Sequence, residues 1–145
     1  MFVAKCTKCG NTFEFPSDVT LHGMRLLLSK KAHLPAVVIC DEDQAFNDIW
    51  LLVKKCLYNR ELLDSQVARE FNKVFGELCD LAPDNSQYDM SGKVYCSTCG
   101  SECDYAPTDS PVFTELNVEH VSHRSWDNLT EAQKLASIKG LCPYE

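Results

Sequence analysis

The sequence predicts an α+β fold in which two β-hairpins hold the ends of a largely helical insertion, followed by a short C-terminal helix. A Cys-x-x-Cys-Gly pattern occurs twice, at 6–10 and at 96–100, and a strand-like stretch precedes each copy. Between the two copies, apolar residues recur at intervals of three and four, which is typical of amphipathic helices.

The first cysteine pattern lies in a segment with the period of a β-strand. Phe13 and Phe15 alternate with polar neighbours, which predicts a short hairpin that turns at the cysteines. Two apolar runs follow, at 24–28 and 36–39. They fit the two strands of a second hairpin, but a helix that starts after Ser17 fits the first run equally well, because periodicity does not separate these alternatives in short runs.

Two amphipathic helices are predicted in the middle of the chain. The first spans about 44–57, and its apolar positions are Phe46, Ile49, Trp50, Val53 and Leu57. The second spans about 60–80, and its apolar positions are Val67, Phe71, Val74, Phe75 and Leu78. The acidic run 41–43 at the start of the first helix and the lysines at its end match the preference of the helix dipole.

After the second helix, the pattern returns to strands and then to a short helix. A return strand is expected at 103–105, and alternating residues at 112–118 predict an extended segment. Thr130 and Gln133 have the spacing of a capping box, in which each side chain bonds to the backbone of the other residue. A short helix should start there, run to about Ile138 and be stopped by Gly140.

The candidate metal ligands are Cys6, Cys9, Cys96 and Cys99. Zinc binds four ligands in a tetrahedron, and two intervening residues let a tight turn direct both sulfurs of a pair to one ion. The glycine after each pair supplies the positive φ that such a turn needs. One pair alone would also fit chance or a redox disulfide, whereas two matched pairs favour a shared ion. Sulfur-only sites suit zinc or iron, and zinc is the default.

The segments 5–10 and 95–101 resemble the two knuckles of the zinc-ribbon (rubredoxin-like) superfamily. The resemblance covers 2–15 and 93–106 and implies one structural site of four cysteine thiolates, without implying a substrate. The segment 126–134 resembles small uncharacterised bacterial zinc-ribbon proteins. The chain departs from an uninterrupted ribbon because 86 residues separate the two pairs.

This departure predicts a division of the chain into three parts. Residues 1–15 and 92–106 would form the zinc ribbon, and 16–91 would be a mainly helical insertion. Residues 107–145 would supply an extended segment and a short helix that pack on the rest. The metal would hold the two ends of the insertion together.

The other five cysteines are not expected to bind the metal. Cys40, Cys56 and Cys79 adjoin apolar runs and are interpreted as small buried apolar residues. Cys103 can lie near the metal, but four ligands are already present. Cys142 lies in the expected C-terminal tail.

His120 and His123 form a His-x-x-His pattern with two interpretations. They can belong to a second metal site or an acid–base pair, or they can be surface histidines on an extended loop. The second interpretation is favoured, because no acidic ligand cluster has a defined spacing to them. His22 and His33 are isolated in the sequence.

Charge and composition limit the partner classes. The formal net charge is -7, but residues 1–40 carry +3 and residues 41–145 carry -10. Nucleic-acid binding would therefore depend on the basic N-terminal third, whose cations are Lys5, Lys8, Arg25, Lys30 and Lys31.

No apolar run approaches the roughly 20 residues that span a bilayer, so no membrane contact is expected. The odd count of nine cysteines and the composition of the first residues predict a reduced, cytoplasmic protein.

These observations favour a non-enzymatic adaptor or regulator that binds another protein and contains one structural Zn²⁺. The sequence contains no glycine-rich phosphate loop, nucleophile elbow or His-Glu-x-x-His pattern. The first alternative is a nucleic-acid-associated zinc ribbon that uses the basic N-terminal third. The second is an iron-binding, rubredoxin-like electron carrier, since iron accepts the same four sulfurs.

Overall fold

Two small β-sheets and four helices make up the part of the chain that the computed structural model describes, residues 2–15, 24–57, 62–107 and 119–142. The side chains at 107 and 119 are not described. The predicted combination of strands and helices is confirmed. The extended segment expected at 112–118 lies outside the described residues.

The elements follow the chain in a mixed order. The strands are β1 (Phe2–Lys5), β2 (Thr12–Phe15), β3 (Met24–Ser29), β4 (Pro35–Ile39), β5 (Tyr88–Asp89), β6 (Asp104–Pro107) and β7 (Glu119–His120). The helices are α1 (Gln44–Leu57), α2 (Asp64–Leu78), α3 (Arg124–Asp127) and α4 (Glu131–Leu141).

The first sheet has the strand order β2-β1-β6, and both outer strands run antiparallel to β1. The return strand after the second cysteine pattern therefore exists, but it pairs with β1 over four residues. The second hairpin itself is reduced to one bridge between Tyr95 and Glu102. The strands that adjoin the two cysteine patterns thus share a sheet through backbone pairing.

The second sheet has the order β5-β3-β4-β7. Strands β3 and β4 form an antiparallel hairpin, with Met24 opposite Ile39 and Leu28 opposite Pro35, so the hairpin alternative for these runs is confirmed. Strand β7 joins β4 in parallel. The described part of the segment 16–91 consequently contains three strands in addition to its two helices.

Helix α1 begins and ends where its apolar periodicity predicts. The acidic run 41–43 precedes its first turn, and the Asp43 carboxylate accepts a hydrogen bond of 2.9 Å from the Phe46 N–H. Asp43 thus acts as a side-chain cap, which satisfies one of the free N–H groups of the first turn.

Helix α4 has the predicted capping box at its start but a different end. The Gln133 N–H donates to Thr130 Oγ1 at 3.2 Å, and the Thr130 N–H donates to Gln133 Oε1 at 2.8 Å. The prediction that Gly140 ends the helix is wrong, because the helix continues through Leu141 and Gly140 does not take a positive φ. The Cys142 N–H, which donates to the Ile138 carbonyl, closes the last turn.

Two apolar cores hold these elements. The larger core lies between the second sheet and the helices, and its fully buried members include Ile49, Phe75, Trp126 and Ile138. The smaller core lies against the first sheet and consists of Ala4, Cys6, Phe15, Val94, Cys96 and Cys103. None of the helices within the described ranges has the length and apolar character needed to cross a bilayer.

Helix α2 packs closely on β5 through Gly76. A Cβ atom at this position would overlap the carbonyl oxygen of Tyr88 and would lie 3.1 Å from the Asp89 Cα. These neighbours are backbone atoms, which do not move aside as a flexible side chain does. Glycine is therefore required here by the approach of helix and strand.

We expect Gly76→Ala to lower the free energy of unfolding by about 1–3 kcal/mol, because the added methyl group forces helix and strand apart. Gly140→Ala is the matched control, since Gly140 also lies in a helix and has no atom within 4 Å of an added Cβ. The control should be neutral or stabilising by up to about 1 kcal/mol, because alanine favours helix more than glycine does. Urea unfolding measures both variants, and equal effects would contradict the close approach.

Candidate metal centre

The sulfur atoms of Cys6, Cys9, Cys96 and Cys99 all lie within 4.8 Å of one another. Cys6 Sγ is 3.5 Å from Cys99 Sγ, and Cys9 Sγ is 3.5 Å from Cys96 Sγ. A tetrahedron with metal–sulfur bonds of about 2.3 Å has edges of about 3.8 Å, whereas a disulfide bond is about 2.05 Å. The predicted convergence of the two cysteine pairs is confirmed, and their spacing suits one metal ion.

The two cysteine turns have matching backbone geometry. In the first turn, the Cys6 N–H donates to the Asn11 carbonyl at 2.9 Å, and the Gly10 N–H donates to the Cys6 carbonyl at 2.9 Å. In the second turn, Cys96, Gly100 and the carbonyl of Ser101 repeat this pattern at 2.8 and 2.9 Å.

The glycines of the two turns also match. Gly10 has φ of 78° and Gly100 has φ of 75°, as the sequence predicted. These angles lie in the left-handed region, which glycine adopts without the steric cost that a Cβ atom brings. The two turns are thus geometrically equivalent, which is the arrangement expected if each supplies two ligands to one ion.

Each turn contributes one buried and one exposed sulfur. Cys6 and Cys96 are buried in the smaller core, while Cys9 and Cys99 lie at the surface. The Asn11 amide lies across the cluster, with its nitrogen 3.8 Å from Cys96 Sγ and 3.4 Å from Thr98 Oγ1. Sequence reasoning missed Asn11, although its position directly after the turn glycine was the available signal.

Backbone N–H groups lower the pKa of the two buried thiols. The Cys9 N–H is the largest influence on Cys6, and the Cys99 N–H lowers the pKa of Cys96 to about 6. At Cys9, the Asn11 N–H also favours the thiolate, but the neighbouring Cys96 and Cys6 sulfurs outweigh it and raise the pKa to about 12. Two thiolates are therefore favoured by the fold, and a cation would favour loss of the remaining protons.

Cys103 is buried beside the cluster without belonging to the four-sulfur group. Burial and the charge of the Cys6 sulfur raise the pKa of its thiol to about 11. Its position near the cluster matches the expectation for a cysteine outside the ligand set.

The remaining cysteines differ in burial. Cys79 is buried as predicted, and burial raises the pKa of its thiol strongly. Cys40 and Cys56 are only half-buried. Cys142 is buried in the larger core and closes α4, so its assignment to a tail is wrong. The high pKa of Cys79 makes this thiol a poor nucleophile at neutral pH.

The two histidines of the His-x-x-His pattern have different environments. His120 is exposed, as predicted for a surface residue. The same prediction is wrong for His123, whose side chain is only 9% exposed and whose Nε2 lies 2.7 Å from Asp43 Oδ2. Its ring also contacts Phe75. Asp43 is far away in the sequence, so the local pattern could not show this contact.

A second metal site at the histidines is not supported. Among the described residues, the four cysteines are the one group of three or more histidine, cysteine or acidic residues that can share an ion. His123 instead fastens the segment before α3 to the start of α1, because Asp43 accepts from both regions.

Two of the five basic residues of the N-terminal third contact α2. Arg25 donates to Asn72 Oδ1 at 2.8 Å, and Lys30 pairs with Glu77 at 3.7 Å. The other three are exposed: Lys5, Lys8 and Lys31. The basic third is thus partly occupied by contacts within the protein.

Comparisons with protein-family models, with curated proteins and with solved structures find no match to this chain.

We expect His123→Ala to lower the free energy of unfolding by about 1–3 kcal/mol, because it leaves Oδ2 of the half-buried Asp43 carboxylate without its histidine partner. His120→Ala is the control, since it removes an exposed histidine three residues away and should change stability by less than about 0.5 kcal/mol. Thermal or urea unfolding of the two variants tests this, and an equal change in both would show that the Asp43 contact is unimportant.

Proposed function

We propose that this chain is a zinc protein in which Cys6, Cys9, Cys96 and Cys99 hold one structural Zn²⁺. The main support for this proposal is the cluster of four sulfur atoms, which come from two turns with the same backbone geometry. We further propose that the chain acts as a non-enzymatic adaptor or regulator through protein contacts.

The number of protein ligands supports a structural role for the ion. Four thiolates complete a tetrahedral shell, whereas catalytic zinc sites keep one position open for water or substrate. Two of these cysteines are also members of the smaller core, so the ion would be part of the packing of the first sheet. A zinc-ribbon interpretation of β1, β2, β6 and the two turns follows from the same arrangement.

The protein-binding role is supported by apolar side chains at the surface. Leu51, Leu63 and Leu81 are 62%, 69% and 59% exposed, respectively. Apolar side chains at the surface supply area that a protein partner can remove from water. The raised pKa of the Cys79 thiol and the engagement of His123 by Asp43 weigh against a nucleophilic site at these residues.

Two alternatives use the same residues. Nucleic-acid binding ranks second, because Arg25 and Lys30 are engaged with α2 and residues 41–145 carry a charge of -10. Electron transfer through iron ranks third, since four thiolates accept iron or zinc and the choice depends on the metal supplied.

We expect the purified protein to contain one equivalent of zinc, and Cys99→Ser to lose most of it because a tetrahedral site needs all four ligands. Cys40→Ser is the control, since Cys40 lies outside the cluster. Elemental analysis gives the metal and its amount, and chelation should unfold the first sheet. Iron in place of zinc would support the electron-carrier alternative, and full zinc content in Cys99→Ser would contradict the ligand assignment.

We expect affinity capture with the zinc-loaded protein to recover a protein partner that Leu63→Lys no longer retains, because a charge at an apolar contact is costly to desolvate. Lys55→Gln is the control, since Lys55 is exposed at the polar end of α1. Capture should be unchanged by nuclease treatment. Loss of the captured material after nuclease treatment, or on raising the salt concentration, would favour the nucleic-acid alternative.

A further inference from the structure

A polar cleft of about 380 Å³ lies away from the cysteine cluster, between α2 and the segment 91–95. This volume falls in the range of small-molecule sites, about 300–1,000 Å³. The lining residues are mostly charged, and none of the four clustered cysteines is among them. The cleft is thus a separate candidate site.

A helix face and an irregular segment direct side chains into this cleft. On α2, Arg69, Lys73 and Glu77 are spaced by four residues, which places them on one face of a helix. On the facing wall, Ser91, Lys93 and Tyr95 come from a segment that bends at Gly92, whose φ is 83°. The two sets of side chains face each other because α2 packs closely on β5, and the segment 91–95 follows shortly after β5 in the chain.

The cleft is richer in positive charge than the acidic chain as a whole. Four of the 14 lysine and arginine residues line it together with three carboxylates, Glu70, Glu77 and Asp89, whereas the chain has a net charge of -7. Lys30 is paired with Glu77, and Lys93 makes a looser, exposed contact of 4.0 Å with Glu102. Within the described ranges, Arg69 and Lys73 form no ion pair shorter than 4.0 Å. Two adjacent cations are therefore available to an anion, and concave walls strengthen their field.

A buried acceptor lies in the same cleft. Asp89 Oδ1 accepts from the Ser91 N–H at 2.8 Å, while Asp89 Oδ2 is buried and has no hydrogen-bond partner among the described residues. A buried carboxylate oxygen without a donor is unfavourable, so a ligand that supplies an O–H group would bind better than one that supplies only acceptors.

We propose that this cleft binds a small phosphate-bearing ligand. The phosphate dianion matches the two cations Arg69 and Lys73, and the guanidinium group bonds phosphate oxygens in pairs. Rotation of the Asp89 carboxylate brings the buried Oδ2 to the cleft surface, where a hydroxyl group on the ligand, or the O–H of hydrogen phosphate, donates to it. Sulfate has the same shape and charge but lacks this donor, so the site should prefer phosphate to sulfate.

The test is a titration of the zinc-loaded full chain with inorganic phosphate and, separately, with sulfate at equal ionic strength, followed by amide chemical shifts. We expect saturable shifts at cleft residues with phosphate, and an affinity at least about tenfold lower for sulfate. Asp89→Asn should reduce this preference, because the amide can donate to sulfate.

Two double variants that each remove two positive charges distinguish an effect of the cations in the cleft from an effect of the net charge of the chain. Arg69→Gln/Lys73→Gln should weaken phosphate binding at least about tenfold, since it removes both unpaired cations. Lys55→Gln/Lys139→Gln, at exposed positions of α1 and α4, should stay within about twofold of the parent chain. Non-saturable shifts, equal binding of phosphate and sulfate, or an equal loss in both variants would overturn the proposal.

Discussion

The convergence of two cysteine turns that are far apart in the chain is the constraint on which the first sheet depends. Closing a loop of 86 residues costs about 4 kcal/mol of chain entropy. The hydrogen-bonded pairing of β1 with β2 and with β6 offsets part of this cost, but each pairing involves only four residues of each strand. A structural zinc ion contributes about 10–16 kcal/mol in small zinc domains, which exceeds the entropy lost. An ion in the sulfur cluster would thus stabilise both the sheet and the closure.

Features set by local sequence were predictable. The cysteine turns need only two residues between ligands and a following glycine, and the positive φ of Gly10 and Gly100 agrees with that requirement. The bounds of α1 follow from its apolar period, and the start of α4 follows from the pairing of Thr130 with Gln133. Each of these patterns is complete within a single helix or a single turn, so distant residues were not needed to recognise it.

Features set by distant contacts were missed. The pairing of β6 with β1 joins the two ends of a long loop, and the contact of His123 with Asp43 spans 80 residues. His33 looked isolated, yet it takes a φ of 58°, stacks on Phe13 at 4.3 Å between ring centres and bonds the Tyr95 carbonyl at 2.7 Å. Its ring links the β3–β4 turn to the residue before Cys96. Periodicity carries no information about such contacts, because their partners depend on how the sheets assemble.

The distance along the chain between the two halves of the sulfur cluster has a consequence during synthesis. Cys6 and Cys99 are 93 positions apart, so at 5–20 residues per second the first turn waits roughly 5–20 seconds for its counterpart. During that interval the β3–β4 hairpin and α1–α2 pair emerge and can begin to pack locally. The nascent chain would therefore present the thiols of the first turn and the β1 edge that later pairs with β6 to chaperones or metal donors before the sulfur cluster forms.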